Sequence, residues 1–296
     1  MTTTGGFSVT IATLIAAGRL DERLLEAALA RIHSAEFTRW IDRGDAADFE
    51  SPLPPQELRQ VLEGWEGADV IVHTSGPRQK RLLVADMDST IIGQECIDEL
   101  ADYAGVKPQV ADITERAMRG ELDFAGALAE RVALLEGLEF ETIAQCLAER
   151  IRPNPGAETL VRTMSALGAT TILVSGGFTA FVEPIARKVG FDRFEANVLE
   201  VAAGKLTGST SGRIVDSHVK QEVLVRACEE LELRPDETMA IGDGANDALM
   251  VMAAGLGIAY HAKPVLAEVA DACLEHHGLD ALLWAQGINR ARWIED

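Results

Sequence analysis

Four short apolar runs, separated by longer helical stretches, constrain the fold of this chain more than any other feature of its sequence. The runs cover residues 82–85, 170–174, 238–241 and 255–260, and each is continuous instead of alternating with charged residues. Strands of this kind are typical of a parallel sheet whose two faces are both covered by helices. The pattern therefore predicts an α/β fold built on a parallel sheet.

Polar residues directly follow three of the four runs. Asp86 follows the first run, Ser175 the second, and Gly242 with Asp243 the third. In open α/β sheets, ligands bind beyond the carboxyl ends of the strands. We therefore expect these residues to share one site at that edge of the sheet.

Asp86 and Asp88 stand one residue apart in an Asp-Met-Asp-Ser-Thr sequence. Phosphoryl transfer to a carboxylate needs a nucleophile, a cation that neutralises the phosphate, and a proton donor for the leaving alkoxide. Two carboxylates at this spacing supply the nucleophile and the donor if the chain curls there. A pair of this kind is more often a polar turn, and it is the other strand ends that favour catalysis.

The other two strand ends supply groups that suit a phosphate and a cation. Ser175 and the following glycines let a hydroxyl and backbone N–H groups approach a phosphate closely, although such a sequence alone is equally typical of an ordinary turn. Asp243, Asn246 and Asp247 offer oxygen atoms, which suit Mg²⁺. A solvated loop is the alternative, but it would leave two acidic strand ends adjacent without a charge partner.

Taken in chain order, these motifs resemble the haloacid dehalogenase (HAD) superfamily of phosphatases, over residues 82–285. Within it, the stretches that begin at Ile91, Arg116 and Ala129 and the Tyr260-His-Ala-Lys-Pro run resemble the phosphoserine phosphatase family. The resemblance implies a HAD-like Rossmannoid core with a helical cap inserted after the first core strand. It also implies a phosphoric monoester hydrolase that converts O-phosphoserine to serine and phosphate, the last step of serine biosynthesis.

The resemblance also implies roles in the core. Asp86 would form the aspartyl-phosphate intermediate, and Asp88 would protonate the seryl oxygen and then activate water. Lys220, by default a surface lysine on a helix, would stabilise the phosphoryl group together with Ser175. The remaining expectations are a Mg²⁺ ion on the Asp86 carboxylate, the Asp88 backbone carbonyl and the Asp243 carboxylate, and a supporting role for Asp247 that orients Lys220.

The cap would then recognise the substrate. By the same resemblance, Glu95 meets the amino group of phosphoserine and Arg131 its carboxylate, a task that suits the two-pronged guanidinium. Taken alone, Arg131 would be read as a surface helix charge. The other residues expected to contact the substrate or to wall its pocket are Ser175, Gly176, Lys220, Asn246, Met118 and Phe124.

The first 78 residues have a different pattern of predicted strands and helices from the rest of the chain. Their pattern predicts the order βαββαβ, with strands at 7–14, 37–41, 46–49 and 69–73 and helices at 20–33 and 55–65. This order resembles the small α+β ACT domains, for which amino-acid sensing competes with dimerisation or packing as the role. The predicted domains are an ACT-like domain at 1–78, a catalytic core at 79–94 and 156–296, and a cap at 95–155.

The amino-acid composition limits the kinds of molecule that this chain is expected to bind. The chain has 27 Lys and Arg against 47 Asp and Glu, a net charge of −20, which argues against nucleic-acid or membrane-surface partners but not against a small anion bound locally. Four scattered cysteines without a paired spacing favour reduced thiols in the cytoplasm, and we expect neither a signal peptide nor a membrane span. The oligomeric state stays open, with a homodimer as one alternative.

Two other functions compete with hydrolysis of phosphoserine. One is a HAD-type phosphatase or phosphotransferase that acts on another small phosphomonoester, because the cap sets the substrate and the acceptor. The other is a phospho-accepting signalling module, which also uses a strand-end aspartate. Asp88 and the inserted cap argue against the signalling module, since it needs neither a proton donor nor a lid.

Overall fold

A computed structural model describes residues 10–32, 35–62, 64–73, 76–119 and 121–295 of the chain, except the side chain of Met118. The strands are β1 Thr10–Leu20, β2 Glu36–Asp42, β3 Gly44–Ser51, β4 Asp69–His73, β5 Leu82–Ala85, β6 Thr170–Phe178, β7 Arg193–Ala202, β8 Lys205–Ser211, β9 Thr238–Gly242, β10 Gly257–Tyr260 and β11 Ala272–Leu274. The helices are α1 Glu22–Arg31, α2 Pro55–Leu62, α3 Cys96–Tyr103, α4 Lys107–Met118, α5 Phe124–Ala133, α6 Glu141–Glu149, α7 Ala157–Ala166, α8 Thr179–Val189, α9 Ser217–Glu230, α10 Ala248–Ala253, α11 Pro264–Ala267 and α12 Ala281–Ala285.

The larger sheet has seven strands in the order β11-β10-β9-β5-β6-β7-β8. All neighbours pair in parallel except β7 and β8, which form an antiparallel hairpin. The central strand β5 is buried along its whole length, because helices cover both faces of the sheet. The predicted α/β fold with a parallel core sheet is confirmed.

Strand β6 is longer than the sequence predicted. The apolar run was expected to stop before Ser175, but the strand continues to Phe178. Ser175 still pairs with Ala196 of β7, and the register then shifts, so that Phe178 pairs with Asn197. The prediction was wrong because the neighbouring strand offers hydrogen-bond partners beyond the apolar run, and the intervening glycines allow the bulge.

Four helices, α3 to α6, stand between β5 and α7 and form the predicted helical cap. Their buried residues are apolar side chains at helical spacing, such as Leu100 in α3 and Leu128 in α5. Backbone hydrogen bonds join residues 137–140 of the cap to the β7–β8 hairpin, such as those from the Gly137 N–H to the Leu206 carbonyl at 2.9 Å and from the Phe140 N–H to the Gly204 carbonyl at 2.8 Å. The cap therefore rests against the edge of the sheet and encloses the carboxyl end of β5.

The N-terminal region forms a second sheet of four antiparallel strands in the order β2-β3-β1-β4. Helices α1 and α2 cover one face around Leu14, Phe49 and Leu58, which are all buried. This is the predicted βαββαβ order. The ACT-like assignment and the domain boundaries stay predictions.

Buried polar contacts tie the N-terminal sheet to the core. The Asp48 carboxylate in β3 accepts hydrogen bonds from Thr13 and from the guanidinium groups of Arg39 and Arg78. Arg78 also donates to the backbone carbonyl of Ala285 in α12, at 2.8 Å. The guanidinium of Arg78 therefore joins the N-terminal sheet to helix α12 of the core, through a carboxylate that is only 1% exposed.

No helix within the described residues is long and apolar enough to cross a membrane.

The contact of Arg78 generates a prediction about stability. We expect Arg78→Met to lower the free energy of unfolding by about 3–5 kcal/mol, because it leaves a buried carboxylate with one cation fewer. Chemical denaturation followed by circular dichroism measures the loss. The control is Arg43→Met, because Arg43 is exposed and meets Glu22 only at 3.9 Å, so that its loss should be negligible. Equal stability of the two variants would contradict the prediction.

Candidate active site

The chain turns sharply after β5, and this turn sets the direction of two carboxylates. The Asp86 N–H donates to the carbonyl of Ile241 in β9 at 2.9 Å, which holds Asp86 at the sheet edge. Two residues after it, Asp88 keeps an extended backbone, and Ser89 adopts a left-handed conformation with φ of 55°. Asp86 and Asp88 consequently face the same cavity, as the sequence predicted they would if the chain curled.

The cavity lies between the core and the cap and has a volume of about 990 Å³. The core contributes residues from the carboxyl ends of β5, β6, β9 and β10, whereas the cap contributes residues from α3 to α5. The predicted site residues that line it are Asp86, Asp88, Glu95, Phe124, Arg131, Ser175, Gly176, Asp243 and Asn246. Met118 lies at the end of α4, and its side chain is outside the described residues.

Lys220 lies beneath the cavity floor, between two carboxylates. Its ammonium is 2.6 Å from Asp86 Oδ1 and 2.7 Å from Asp247 Oδ1, and the side chain is 1% exposed. Helix α9 carries Lys220 in its first turn, and the Asp216 side chain caps that turn by accepting the Val219 N–H. Sequence reasoning alone would have left Lys220 on the surface, so the family resemblance was the only signal that selected it.

The triad of Asp86, Lys220 and Asp247 determines the charges at the cavity floor. Burial lowers the pKa of Lys220, but the two carboxylates raise it by more, so that the ammonium stays charged. Burial and the nearby Asp247 raise the pKa of Asp86 well above its ordinary value, and Lys220 only partly opposes this rise. Lys220 therefore favours the ionised Asp86, the form that a nucleophile requires.

Asp88 is held differently from Asp86. Its Oδ1 accepts the Cys96 N–H at 2.9 Å, and its Oδ2 lies 3.4 Å from the Ser175 hydroxyl. Burial raises the pKa of Asp88, and the hydrogen bonds from Cys96 only partly oppose this effect. A carboxyl group with a raised pKa can carry a proton at higher pH than an exposed aspartate, which suits a general acid.

The two residues after Ser175 must be glycines, because neighbouring side chains approach their backbone closely. A Cβ at Gly176 would lie 2.9 Å from the Phe124 ring, and a Cβ at Gly177 would lie 2.9 Å from Asp88 Oδ2. The Ser175 hydroxyl also accepts the Gly177 N–H at 2.9 Å, which stabilises the bulge in β6. Any larger residue here would displace either the cap side chain or the carboxylate.

A group of buried carboxylates could hold a cation. Oxygen atoms of Asp86, Asp243 and Asp247 lie within 4.8 Å of one another. Of these, Asp247 is already engaged, because one oxygen binds Lys220 and the other accepts the N–H groups of Asp243 and Gly244, both at 3.1 Å. An all-oxygen donor set suits a hard divalent cation, and the direct ligands would be Asp86 and Asp243.

The cap presents one acid and one base to the cavity. Glu95 Oε1 accepts the Ser89 hydroxyl at 2.7 Å, and burial, together with the Asp88 charge, raises the pKa of Glu95 to about 7. Arg131 donates from Nε to the Ala127 carbonyl at 3.2 Å, and burial lowers its pKa although Asp98 and Glu95 oppose the effect. Arg131 therefore points into the cavity and is no solvent-facing helix charge.

Sequence reasoning missed Lys263, whose ammonium lies 3.4 Å from Asp243 Oδ2. The residue was noticed only as part of a family-like run and received no role. The signal was available, because residues 261–263 directly follow β10, the fourth core strand, at the same sheet edge. Applying the strand-end rule to all four strands would have found it.

Comparison with known proteins agrees with this geometry. Residues 80–255 match the family model of the haloacid dehalogenase-like hydrolases. This chain belongs to that family.

Within the family, the chain is similar to phosphoserine phosphatases. A phosphoserine phosphatase of Mycobacterium tuberculosis is 48% identical over 80% of this chain, and the match spans 58% of that relative's length. A phosphoserine phosphatase of Archaeoglobus fulgidus is 41% identical over 84% of this chain and 71% of its own. The family predicted from the sequence is confirmed.

Solved structures extend the comparison to the fold. A probable phosphoserine phosphatase from Vibrio cholerae is 31% identical, with a TM-score of 0.77 over 94% of this chain and 87% of its own. A substrate-bound phosphoserine phosphatase complex is 40% identical, with a TM-score of 0.65 over 70% of this chain and 98% of its own. The smaller share covered by the second structure is consistent with a separate N-terminal sheet in this chain.

The buried triad generates a prediction. We expect Lys220→Met to abolish turnover and to lower the free energy of unfolding by about 3–5 kcal/mol, because two carboxylates then face each other without their cation. The double variant Lys220→Met with Asp247→Asn should recover part of that stability but no activity. Chemical denaturation and a phosphate-release assay provide the two readouts. Wild-type stability of Lys220→Met would show that the ion pairs do not stabilise the fold.

Proposed function

We propose that this protein is a phosphoserine phosphatase that forms an aspartyl phosphate on Asp86. One observation carries the proposal: the cavity joins a lysine-bound aspartate on its floor to one acid and one base in its cap. Phosphoserine carries a phosphate at one end and a zwitterionic amino acid at the other. Glu95 can pair with its ammonium and Arg131 with its carboxylate, while the phosphate faces Asp86.

In the proposed reaction, the Asp86 carboxylate attacks phosphorus, and the bond from phosphorus to the seryl oxygen breaks. Asp88 donates its proton to that oxygen, so that serine leaves with a neutral hydroxyl. Asp88 then accepts a proton from water, which attacks phosphorus and releases phosphate from Asp86. Lys220 and the Ser175 hydroxyl stabilise charge on the phosphoryl oxygens.

We also propose that the cation of this site is Mg²⁺. The Asp86 and Asp243 carboxylates and the Asp88 backbone carbonyl would hold it, and Asp247 would support the site by orienting Lys220. The support is the all-oxygen, buried donor set, together with a preference of Mg²⁺ for one or two carboxylates plus substrate phosphate. When bound, the ion neutralises charge on the phosphate and lowers the pKa of the carboxylates around it.

The proposed activity would place this protein at the last step of serine biosynthesis in the cytoplasm. The support is the family of its relatives and the scattered cysteines of its sequence.

A first prediction concerns the cation. Dialysis against a chelator should abolish phosphate release from phosphoserine, and added Mg²⁺ should restore it, because Asp86 and Asp243 would otherwise repel a phosphate dianion. Ca²⁺ should restore much less, since it favours a larger shell with more oxygen ligands. Full turnover after exhaustive chelation would contradict the metal-dependent site.

A second prediction tests the substrate through Arg131. Arg131→Ala should lower kcat/KM for phosphoserine. The loss should correspond to about 2–4 kcal/mol of transition-state stabilisation, the range for removing a desolvated charge contact. Hydrolysis of p-nitrophenyl phosphate, which lacks the carboxylate, should change far less. The control is Arg187→Ala, an exposed arginine of α8 that pairs with Glu183 in its own helix.

The comparison between the two substrates separates the alternatives. Equal losses on both would indicate damage to the cap, whereas no loss on either would refute the phosphoserine assignment. Glu95→Ala should reproduce the selective loss through the amino group.

A further inference from the structure

Lys263 stands at the cavity wall in a position that the reaction described above does not use. It follows β10 and immediately precedes α11, and its backbone N–H donates to the Asp243 carbonyl at 2.8 Å. Its own carbonyl accepts the N–H groups of Leu266 at 3.0 Å and Ala267 at 3.2 Å. The backbone of Lys263 is thus fixed on both sides, so that its side chain starts from a defined point beside the metal-binding carboxylate.

The ammonium groups of Lys263 and Lys220 differ in how many hydrogen-bond donors they keep free for a ligand. Lys220 is buried and makes two short ion pairs. Lys263 is 60% exposed, and the ion pair that it makes with Asp243 is a longer one of 3.4 Å. An ammonium carries three donors, so Lys263 keeps donors for a ligand within the cavity.

Lys263 lines the same cavity as Asp86, Asp243 and Asn246. Its Nζ lies 3.6 Å from the point where a Cβ at Gly244 would stand, and the Asn246 Oδ1 lies 2.7 Å from the same point, so the lysine reaches the strand-end loop that carries Asp243 and Asn246. A lysine ammonium is charged at neutral pH, and the Asp243 carboxylate at 3.4 Å gives this one a partner of opposite charge. A charged, movable donor therefore reaches the side of the cavity that Asp243 forms.

The cavity has an excess of negative charge, so an anionic phosphate needs a cationic donor there. Among the described residues of the cavity wall and of the triad beneath it, six carboxylates face three cations. The carboxylates are Asp86, Asp88, Glu95, Asp98, Asp243 and Asp247, and the cations are Lys220, Arg131 and Lys263. Lys220 is held by two of these carboxylates and keeps one donor for the phosphate, and Arg131 belongs to the cap, so Lys263 is the core cation with the most donors left.

We propose that Lys263 is a substrate-binding residue that donates to the phosphoryl oxygens on the Asp243 side of the cavity, across β5 from Ser175. The proposal rests on the proposed phosphatase activity but not on phosphoserine as the substrate. Its contact is with the phosphate group and is the same in the substrate and in the phosphate product. It therefore strengthens binding uniformly and contributes little to the chemical step.

The test is Lys263→Met in the full-length, Mg²⁺-loaded protein. KM for phosphoserine and the inhibition constant of inorganic phosphate should each rise about tenfold, a factor at the low end for a charge-assisted hydrogen bond, with kcat changed less than about twofold. KM for p-nitrophenyl phosphate should rise by the same factor. Lys263→Arg should restore most of the affinity, and Lys188→Met, the same charge change on the exposed end of α8, should change nothing.

A second readout separates phosphate binding from an effect on the metal. Mg²⁺ affinity of Lys263→Met, measured by titration calorimetry, should be equal to or tighter than that of the wild type, because a competing cation has left Asp243. Weaker Mg²⁺ binding would overturn the proposal, as would unchanged KM and phosphate inhibition. A rise in KM confined to phosphoserine would also overturn it, since Lys263 would then contact the carboxylate.

The outcome for Lys263 is independent of the substrate assignment. If the wild type hydrolyses p-nitrophenyl phosphate but not phosphoserine, the assignment to phosphoserine fails. The Lys263 test then stands on p-nitrophenyl phosphate and inorganic phosphate alone.

Discussion

The buried ammonium of Lys220, held between Asp86 and Asp247, is the interaction on which the rest of the site depends. Two carboxylates could not approach each other in a buried floor without a cation, and Lys220 supplies it at 2.6 and 2.7 Å. Three separate parts of the chain must meet for this triad to form: the end of β5, the first turn of α9 and the loop after β9. The parallel sheet brings them together because its strands end at one edge.

The cap adds selectivity to a core that is built for phosphate. Glu95 follows the sharp turn at Ser89, and Arg131 stands on α5, so both depend on how the helices rest above the sheet. Phe124 of the cap lies so near Gly176 of the core that a Cβ at this glycine would be 2.9 Å from the ring, so cap and core approach each other closely at the site itself. Residues that recognise the substrate and residues that perform the chemistry are therefore on different structural layers, and the cap can vary while the core chemistry is retained.

The sequence predicted the core better than it predicted the contacts made by single side chains. Continuous apolar strands and their polar ends predicted the sheet and the position of Asp86, Ser175 and Asp243, because strand periodicity and sheet edges are local features. The end of β6 was misplaced, since its last pairs depend on β7, which follows later in the chain. The burial of Lys220 and the inward direction of Arg131 depend on long-range packing, which composition and spacing do not encode.

Trapping the intermediate tests the central claim most directly. The protein would be mixed with phosphoserine and Mg²⁺, quenched in acid within the first turnover, digested, and analysed by mass spectrometry for the position of the phosphoryl group. The account predicts a phosphorylated peptide whose modified residue is Asp86. A phosphoryl group on Asp88, Ser175 or any other residue would contradict it.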